Sequence, residues 1–259
     1  MTGTTAPRGG SNSRRMTRGD SRRRFGMRGR NQRVGATACG RFALAAGLLT
    51  APLVALTASG TAQAQTQTSI QAPSKESCVT HAVEAEQKLG IPSGLLVAIA
   101  LVESGQDGAP HPFAMSVQGR AYYARNVNDA ARHLRDNRGQ LRSNTYVGCM
   151  QLSVGTHRGE FQPVEKIVEP RDNVFYAGQL LVRFHGEEGN WKTAISRYNG
   201  SSGRRAQAYV CKIWQSLSEL DSQSAKLLAS TRCEDTDPVN VAPRTRRSFR
   251  NAQQVAAIN

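Results

Sequence analysis

One acidic residue, Glu103, has a sequence environment suited to proton transfer. It directly follows an apolar run, Leu95 to Val102, and lies two residues before Gly105, which places its carboxylate at the end of a buried helix. Apolar neighbours and the negative end of the helix dipole both disfavour the charged form, so both raise its pKa. A carboxylic acid that keeps its proton near neutral pH can act as a general acid.

The alternative interpretation of Glu103 is a solvated glutamate at a helix end, which is commoner in proteins. Glu103 lies in a first motif, Leu101–Gly105 (LVESG), and two further motifs help to choose between the interpretations. They are Gly148–Leu152 (GCMQL) and Ala194–Gly200 (AISRYNG). Each motif alone is weak, but in this order and at these separations the three resemble the lysozyme-like soluble lytic transglycosylases. The likeness extends over most of residues 76–232.

This resemblance implies a role for each matching residue. Glu103 is expected to be the sole acid/base. Five other residues are expected to border the sugar: Ser104 beside it, Met150 and Gln151 in the floor of the cleft, and Tyr198 and Asn199 facing the glutamate. Gln151 would bond the substrate or orient Glu103. Without the resemblance, Met150 and Tyr198 would be interpreted as ordinary core residues.

The activity implied is cleavage of the β-1,4 bond between N-acetylmuramic acid and N-acetylglucosamine, with a 1,6-anhydromuramyl product. A glycosidase with two carboxylates needs a second acid across the bond. Four acids are available, but none has the apolar setting of Glu103: Asp107, Asp129, Glu160 and Glu165. Two other functions stay open, a lysozyme-like muramidase and a non-catalytic wall-binding or assembly module. The implied partners are peptidoglycan strands and an envelope-spanning secretion or conjugation machinery.

The N-terminal region has the composition of an export signal. Residues 1–41 hold eleven arginines against one acid, and an uncharged run, Phe42 to Ala58, follows them. This order, with small residues up to Ala64, is typical of a secretory signal cleaved near that residue. A membrane anchor is the alternative, but about 17 residues interrupted by Pro52 are short for the roughly 20 that a span needs. We therefore predict a periplasmic or secreted protein without a stable membrane span.

Removal of the leader also changes what the charge and the cysteines indicate. Ten of the fifteen net positive charges lie in residues 1–41, which argues against a nucleic-acid interface on the folded protein. Four cysteines remain after cleavage, and in an exported chain they predict two disulfides with three alternative pairings: Cys78, Cys149, Cys211 and Cys233. Zinc is disfavoured because neither Cys-x-x-Cys nor His-Glu-x-x-His spacing occurs. We expect neither a metal nor a cofactor.

The remaining pattern predicts a mainly helical α+β domain of lysozyme-like type. Helical periodicity dominates residues 76–232, and a tight turn at Val117–Arg120 predicts a small β-hairpin beside a glycan-binding cleft. Residues 1–64 are assigned to the leader and 65–75 to a polar linker. The basic segment 233–259 is predicted to be a disordered tail.

Overall fold

The computed structural model describes residues 77–229, 233 and 236–258, so the predicted leader and linker lie outside the described residues. Within this part the chain forms nine α-helices: α1 (Ser77–Leu89), α2 (Leu95–Ser104), α3 (Val127–His133), α4 (Val154–His157), α5 (Pro170–Glu188), α6 (Trp191–Asn199), α7 (Gly203–Leu220), α8 (Ser222–Ala225) and α9 (Pro243–Ala256). Short 3-10 turns occupy Arg158–Glu160, Val164–Val168 and Lys226–Leu228. None of these helices is both long and apolar enough to cross a bilayer.

The strands are short and antiparallel. They are β1 (Gly105–Gln106), β2 (Ala109–Pro110), β3 (Ala114–Val117), β4 (Arg120–Tyr123), β5 (Thr145–Val147) and β6 (Leu152–Ser153). The first two pair with each other, and the others form one sheet in the order β4-β3-β5-β6. Gln118 and Gly119 both have positive φ in the β3–β4 turn, as tight hairpins with right-handed twist require. The predicted mainly helical α+β class is confirmed.

Helix α2 is the central helix of the domain. Every residue from Leu95 to Leu101 is buried, and the helix packs against α1 on one side and α7 on another. An apolar surface on all sides of a helix is stable in water only when neighbouring elements cover it. The uniform apolar run therefore fixed the position of this helix, and the prediction that it is buried is confirmed.

Glu86, a residue of α1, caps the N-terminal end of α2. Its side chain is buried; Oε1 accepts the backbone N–H groups of Leu96 at 2.7 Å and Val97 at 3.3 Å, and Oε2 accepts that of Gly94 at 2.8 Å. The N–H groups at the start of a helix have no partner within it, so this carboxyl group satisfies those of the N-cap residue Gly94 and of two residues in the first turn. Burial raises the pKa of Glu86 to about 8, and the three N–H groups act in the opposite direction.

Two disulfides connect distant segments. Cys78 of α1 bonds Cys149 in the loop after β5, and Cys211 of α7 bonds Cys233. The prediction of two disulfides is confirmed, and the structure selects one of the three pairings. The first bond attaches the loop Gly148–Gln151, called the Met-Gln loop below because it contains Met150 and Gln151, to the buried face of α1.

The prediction that segment 233–259 is a disordered tail is wrong for its described residues, 233 and 236–258. Helix α9 packs against α1 and α7, Phe249 is buried, and the Thr245 hydroxyl donates to the Gly108 carbonyl at 2.7 Å. Only a narrow face of α9 is buried, and it is carried by two residues at helical spacing, Thr245 and Phe249. Four arginines around them made the segment look like a solvated tail. The boundary at residue 232 is therefore also wrong, because the domain includes α9.

Candidate active site

Glu103 lies in the last turn of helix α2, at a cleft between the helices and the sheet. The cavity has a volume of about 360 Å³. Its lining residues come from α2, β5, the loop after β5, β6, α4, α5 and α6: Glu103, Tyr146, Gln151, Leu152, Ser153, His157, Leu180, Tyr198 and Asn199. A larger groove of about 1000 Å³ lies between α1 and α9 and contains none of the predicted site residues.

The chain leaves α2 abruptly after Ser104. A Cβ atom at position 105 would lie 2.2 Å from the carbonyl oxygen of Leu101, so only glycine permits this exit into β1. Glu103 therefore stays in the last turn of the helix, with its side chain at the cleft.

The Glu103 carboxyl group is suited to hold a proton. Its side chain is partly exposed to the cleft, and burial of the remainder raises its pKa to about 7. The hydroxyl of Tyr209 donates to Oε1 at 2.5 Å and lowers the pKa, but by less than burial raises it. Among residues 77–229, 233 and 236–258, Tyr209 is the only hydrogen-bond partner of this carboxyl group, which leaves Oε2 for a substrate.

Tyr209 is a site residue that sequence reasoning missed. It lies in α7, and burial together with the charge of Glu103 raises its pKa well above the usual value, so the phenol stays a hydrogen-bond donor. The signal was available, because Ala206, Tyr209, Val210 and Ile213 recur at helical spacing and so share the inner face of α7.

Ser104 does not line the cleft as expected. It is buried, and its hydroxyl donates to the carbonyl of Cys149 at 2.8 Å and to that of Ala100 at 3.0 Å. Both contacts are internal, so the predicted contact with sugar is wrong. Ser104 instead links the end of α2 to the Met-Gln loop through its hydrogen bond to Cys149.

A second missed residue, Asn173 of α5, organises that loop. Its buried side chain accepts the N–H of Met150 at 2.9 Å and donates to the carbonyls of Val147 at 3.0 Å and Ile167 at 2.9 Å. A Cβ at Gly148, which has φ +81°, would lie 2.5 Å from this side chain. The backbone conformation and the close approach of Asn173 thus both require glycine at position 148. No local pattern marks Asn173, because its partners are distant in sequence.

Met150 and Gln151 occupy different environments. The Met150 side chain is fully buried and does not line the cavity, so its predicted place in the floor is wrong; core packing explains it. Gln151 does line the cavity, at φ +46°, and its Nε2 donates to the carbonyls of Ala114 at 2.9 Å and Gly148 at 3.0 Å. These bonds fix the amide, and it makes none to Glu103.

Tyr198 and Asn199 both line the cavity with Glu103. The Tyr198 hydroxyl donates to the Met150 carbonyl at 2.8 Å, so this phenol supports the Met-Gln loop, and Tyr209 is the phenol bonded to the glutamate. Asn199 is exposed at the rim and accepts a hydrogen bond from Ser201.

The cleft contains one acid among the residues that the structure describes, namely Glu103. None of the four other candidate acids lines it. Asp129, for example, accepts hydrogen bonds from Tyr122, Arg125 and Arg132 beside α3, which commits it to a structural network.

Comparison with known proteins adds no family assignment: no family model matches the chain, and neither the curated proteins nor the solved structures yield a match.

Proposed function

We propose that this protein is a lytic transglycosylase that cleaves peptidoglycan strands between N-acetylmuramic acid and N-acetylglucosamine. The observation that carries the proposal is the partly buried Glu103 at the wall of the cleft, whose pKa of about 7 keeps it largely protonated below neutral pH. No other acid is among the described residues that line this cleft. The three sequence motifs that resemble this enzyme family support the same assignment.

The reaction begins with proton transfer from Glu103 to the glycosidic oxygen, which lets the bond to C1 of the muramyl residue break. The resulting carboxylate then accepts the proton of the muramyl C6 hydroxyl as that oxygen attacks C1. A 1,6-anhydro ring forms, Glu103 regains its proton, and no water is consumed. The Tyr209 hydroxyl, bonded to Oε1, stabilises the carboxylate that exists between the two steps.

An internal nucleophile explains how one carboxyl group suffices. The C6 hydroxyl belongs to the same sugar as the carbon that it attacks, so its effective concentration is high. Glycosidases with two carboxylates use the second one to activate a water molecule or to attack C1 directly. With an internal nucleophile, this second carboxylate is unnecessary.

The two disulfides support export to an oxidising compartment, either the periplasm or the medium, where the wall substrate is available. An envelope-spanning machine that needs a local opening in the wall stays a predicted partner.

The test is digestion of purified wall followed by mass spectrometry of the products. We expect muramyl ends that carry a 1,6-anhydro ring and are lighter by one water than hydrolytic ends. Products with reducing-end muramic acid would overturn the proposal in favour of a muramidase. Binding to the wall without any cleavage would favour a non-catalytic module.

A further inference from the structure

Tyr146 is an exposed aromatic residue that lines the same cleft as Glu103. It lies on β5, an interior strand that pairs with β3 on one side and β6 on the other. Its neighbours in sequence, Thr145 and Val147, are fully buried, so strand alternation turns Tyr146 to the opposite face. There its side chain is 44% exposed and lines the same cavity as Glu103.

Both cross-strand partners of Tyr146 have short side chains. Ser116 on β3 and Ser153 on β6 lie directly opposite it, and cross-strand partners share one face of a sheet. Both have short side chains, and Ser153 also lines the cavity. A partly exposed aromatic ring therefore borders the cleft between two short side chains.

A second tyrosine shows that exposure alone does not define such a position. Tyr123 on the edge strand β4 has the same exposure, 44%, but it does not line the cavity, and its ring contacts that of His111 at a centroid distance of 5.1 Å. Single exposed aromatics are common and carry no functional meaning. Among the aromatic residues that the structure describes, only Tyr146 combines this exposure with a place in the lining of the cleft.

We propose that Tyr146 is a stacking platform for a pyranose ring of the glycan strand, next to the bond that Glu103 cleaves. One face of a pyranose presents mainly C–H groups, which pack on the face of an aromatic ring, while its hydroxyl groups reach polar side chains at the edge. This inference rests on the proposed function, because it assumes a glycan in the cleft.

The experiment measures binding in the inactive Glu103→Gln background, so that turnover does not consume the ligand. The probe is uncross-linked glycan strands freed of stem peptides, titrated by calorimetry. Adding Tyr146→Ala should weaken binding about tenfold, whereas Tyr146→Phe should stay within about twofold of the parent. The matched control, Tyr123→Ala, removes an equally exposed ring from the same sheet and should also stay within about twofold.

The outcomes separate this inference from the proposed function. If the Glu103→Gln protein binds no strands, the proposed function fails. If it binds them and Tyr146→Ala binds equally well, only the platform is overturned. A loss in Tyr146→Phe as large as in Tyr146→Ala would assign the effect to the hydroxyl and overturn stacking. Should the alanine variant not fold, Tyr146→Leu keeps apolar bulk without a flat face, and binding equal to the parent would overturn the proposal.

Discussion

A glutamate lies at each end of helix α2, and the two carboxyl groups have different environments. At the N-terminal end, Glu86 is 3% exposed and its two oxygens accept three backbone N–H groups. At the C-terminal end, Glu103 borders a cleft and accepts one hydrogen bond, from Tyr209. Burial raises the pKa of both. A raised pKa alone therefore does not identify a catalytic acid.

The difference lies in what surrounds each carboxyl group. The N-terminal end of a helix offers unpaired N–H groups and a positive dipole, which hold a carboxylate in place. The C-terminal end offers neither, so an acid there keeps a free oxygen and a labile proton. Glu86 is thus a structural cap, and Glu103 is free to exchange its proton with a ligand.

The largest expected effect comes from Glu103→Gln. The amide cannot transfer a proton, so the rate of wall cleavage should fall by a factor on the order of 10² to 10⁴. Turbidity of a wall suspension measures the rate, and the midpoint of thermal unfolding serves as the control, which should not fall. Undiminished cleavage by this variant would refute the assignment of Glu103.

Tyr209→Phe should have an intermediate effect on the cleavage rate, and it should shift the pH profile in a defined direction. Since the reaction starts from protonated Glu103, the wild-type rate should fall as pH rises through about 7. Removing the hydroxyl removes the interaction that lowers this pKa, so the fall in rate should move to higher pH. The rate at pH 5 should drop about tenfold, because the carboxylate intermediate loses its donor.

Steady-state rates between pH 4 and 9 check this expectation, with Tyr198→Phe as the matched control. That variant loses a bond to the Met150 carbonyl and none to Glu103, so its pH profile should keep the wild-type midpoint. A move of the Tyr209→Phe profile to lower pH would contradict the described geometry.

Glu86→Gln should have the smallest effect on catalysis and a clear effect on stability. The amide NH₂ group would face a backbone N–H, so the free energy of unfolding should fall by about 1–3 kcal/mol, while folded protein keeps its cleavage rate. Urea unfolding measures the change. Loss of cleavage in the folded variant would show that the two ends of α2 are not functionally separate.

The pH dependence of this stability also has a definite sign. Because the pKa of Glu86 rises from its ordinary 4.5 to about 8 on folding, the folded state holds the proton more tightly. Its contribution to stability is fully present below about pH 4.5 and is lost as pH rises through about 8. Between about pH 4.5 and pH 8, the free energy of unfolding should therefore depend less on pH in the Glu86→Gln variant than in the wild type.

The sequence predicts features that follow from local pattern. The apolar run marked α2 and the position of Glu103 in its last turn, and the residues Val117–Arg120 marked the hairpin turn. It also predicted two disulfides from the number of cysteines. What failed were roles that depend on side-chain direction: Ser104 and Met150 face inward, although both belong to motifs that form the site.

By itself the sequence determined which helix is central and which acid lies in its last turn, because a continuous apolar run and the glycine after it are local features. Tertiary structure alone decided that Tyr209 bonds Glu103, that Asn173 holds the Met-Gln loop and that Glu86 caps α2. It likewise decided that α9 is folded onto α1. Each of these contacts joins residues on different elements, and a hydrogen bond between them exists only once packing has brought the two groups within about 3 Å.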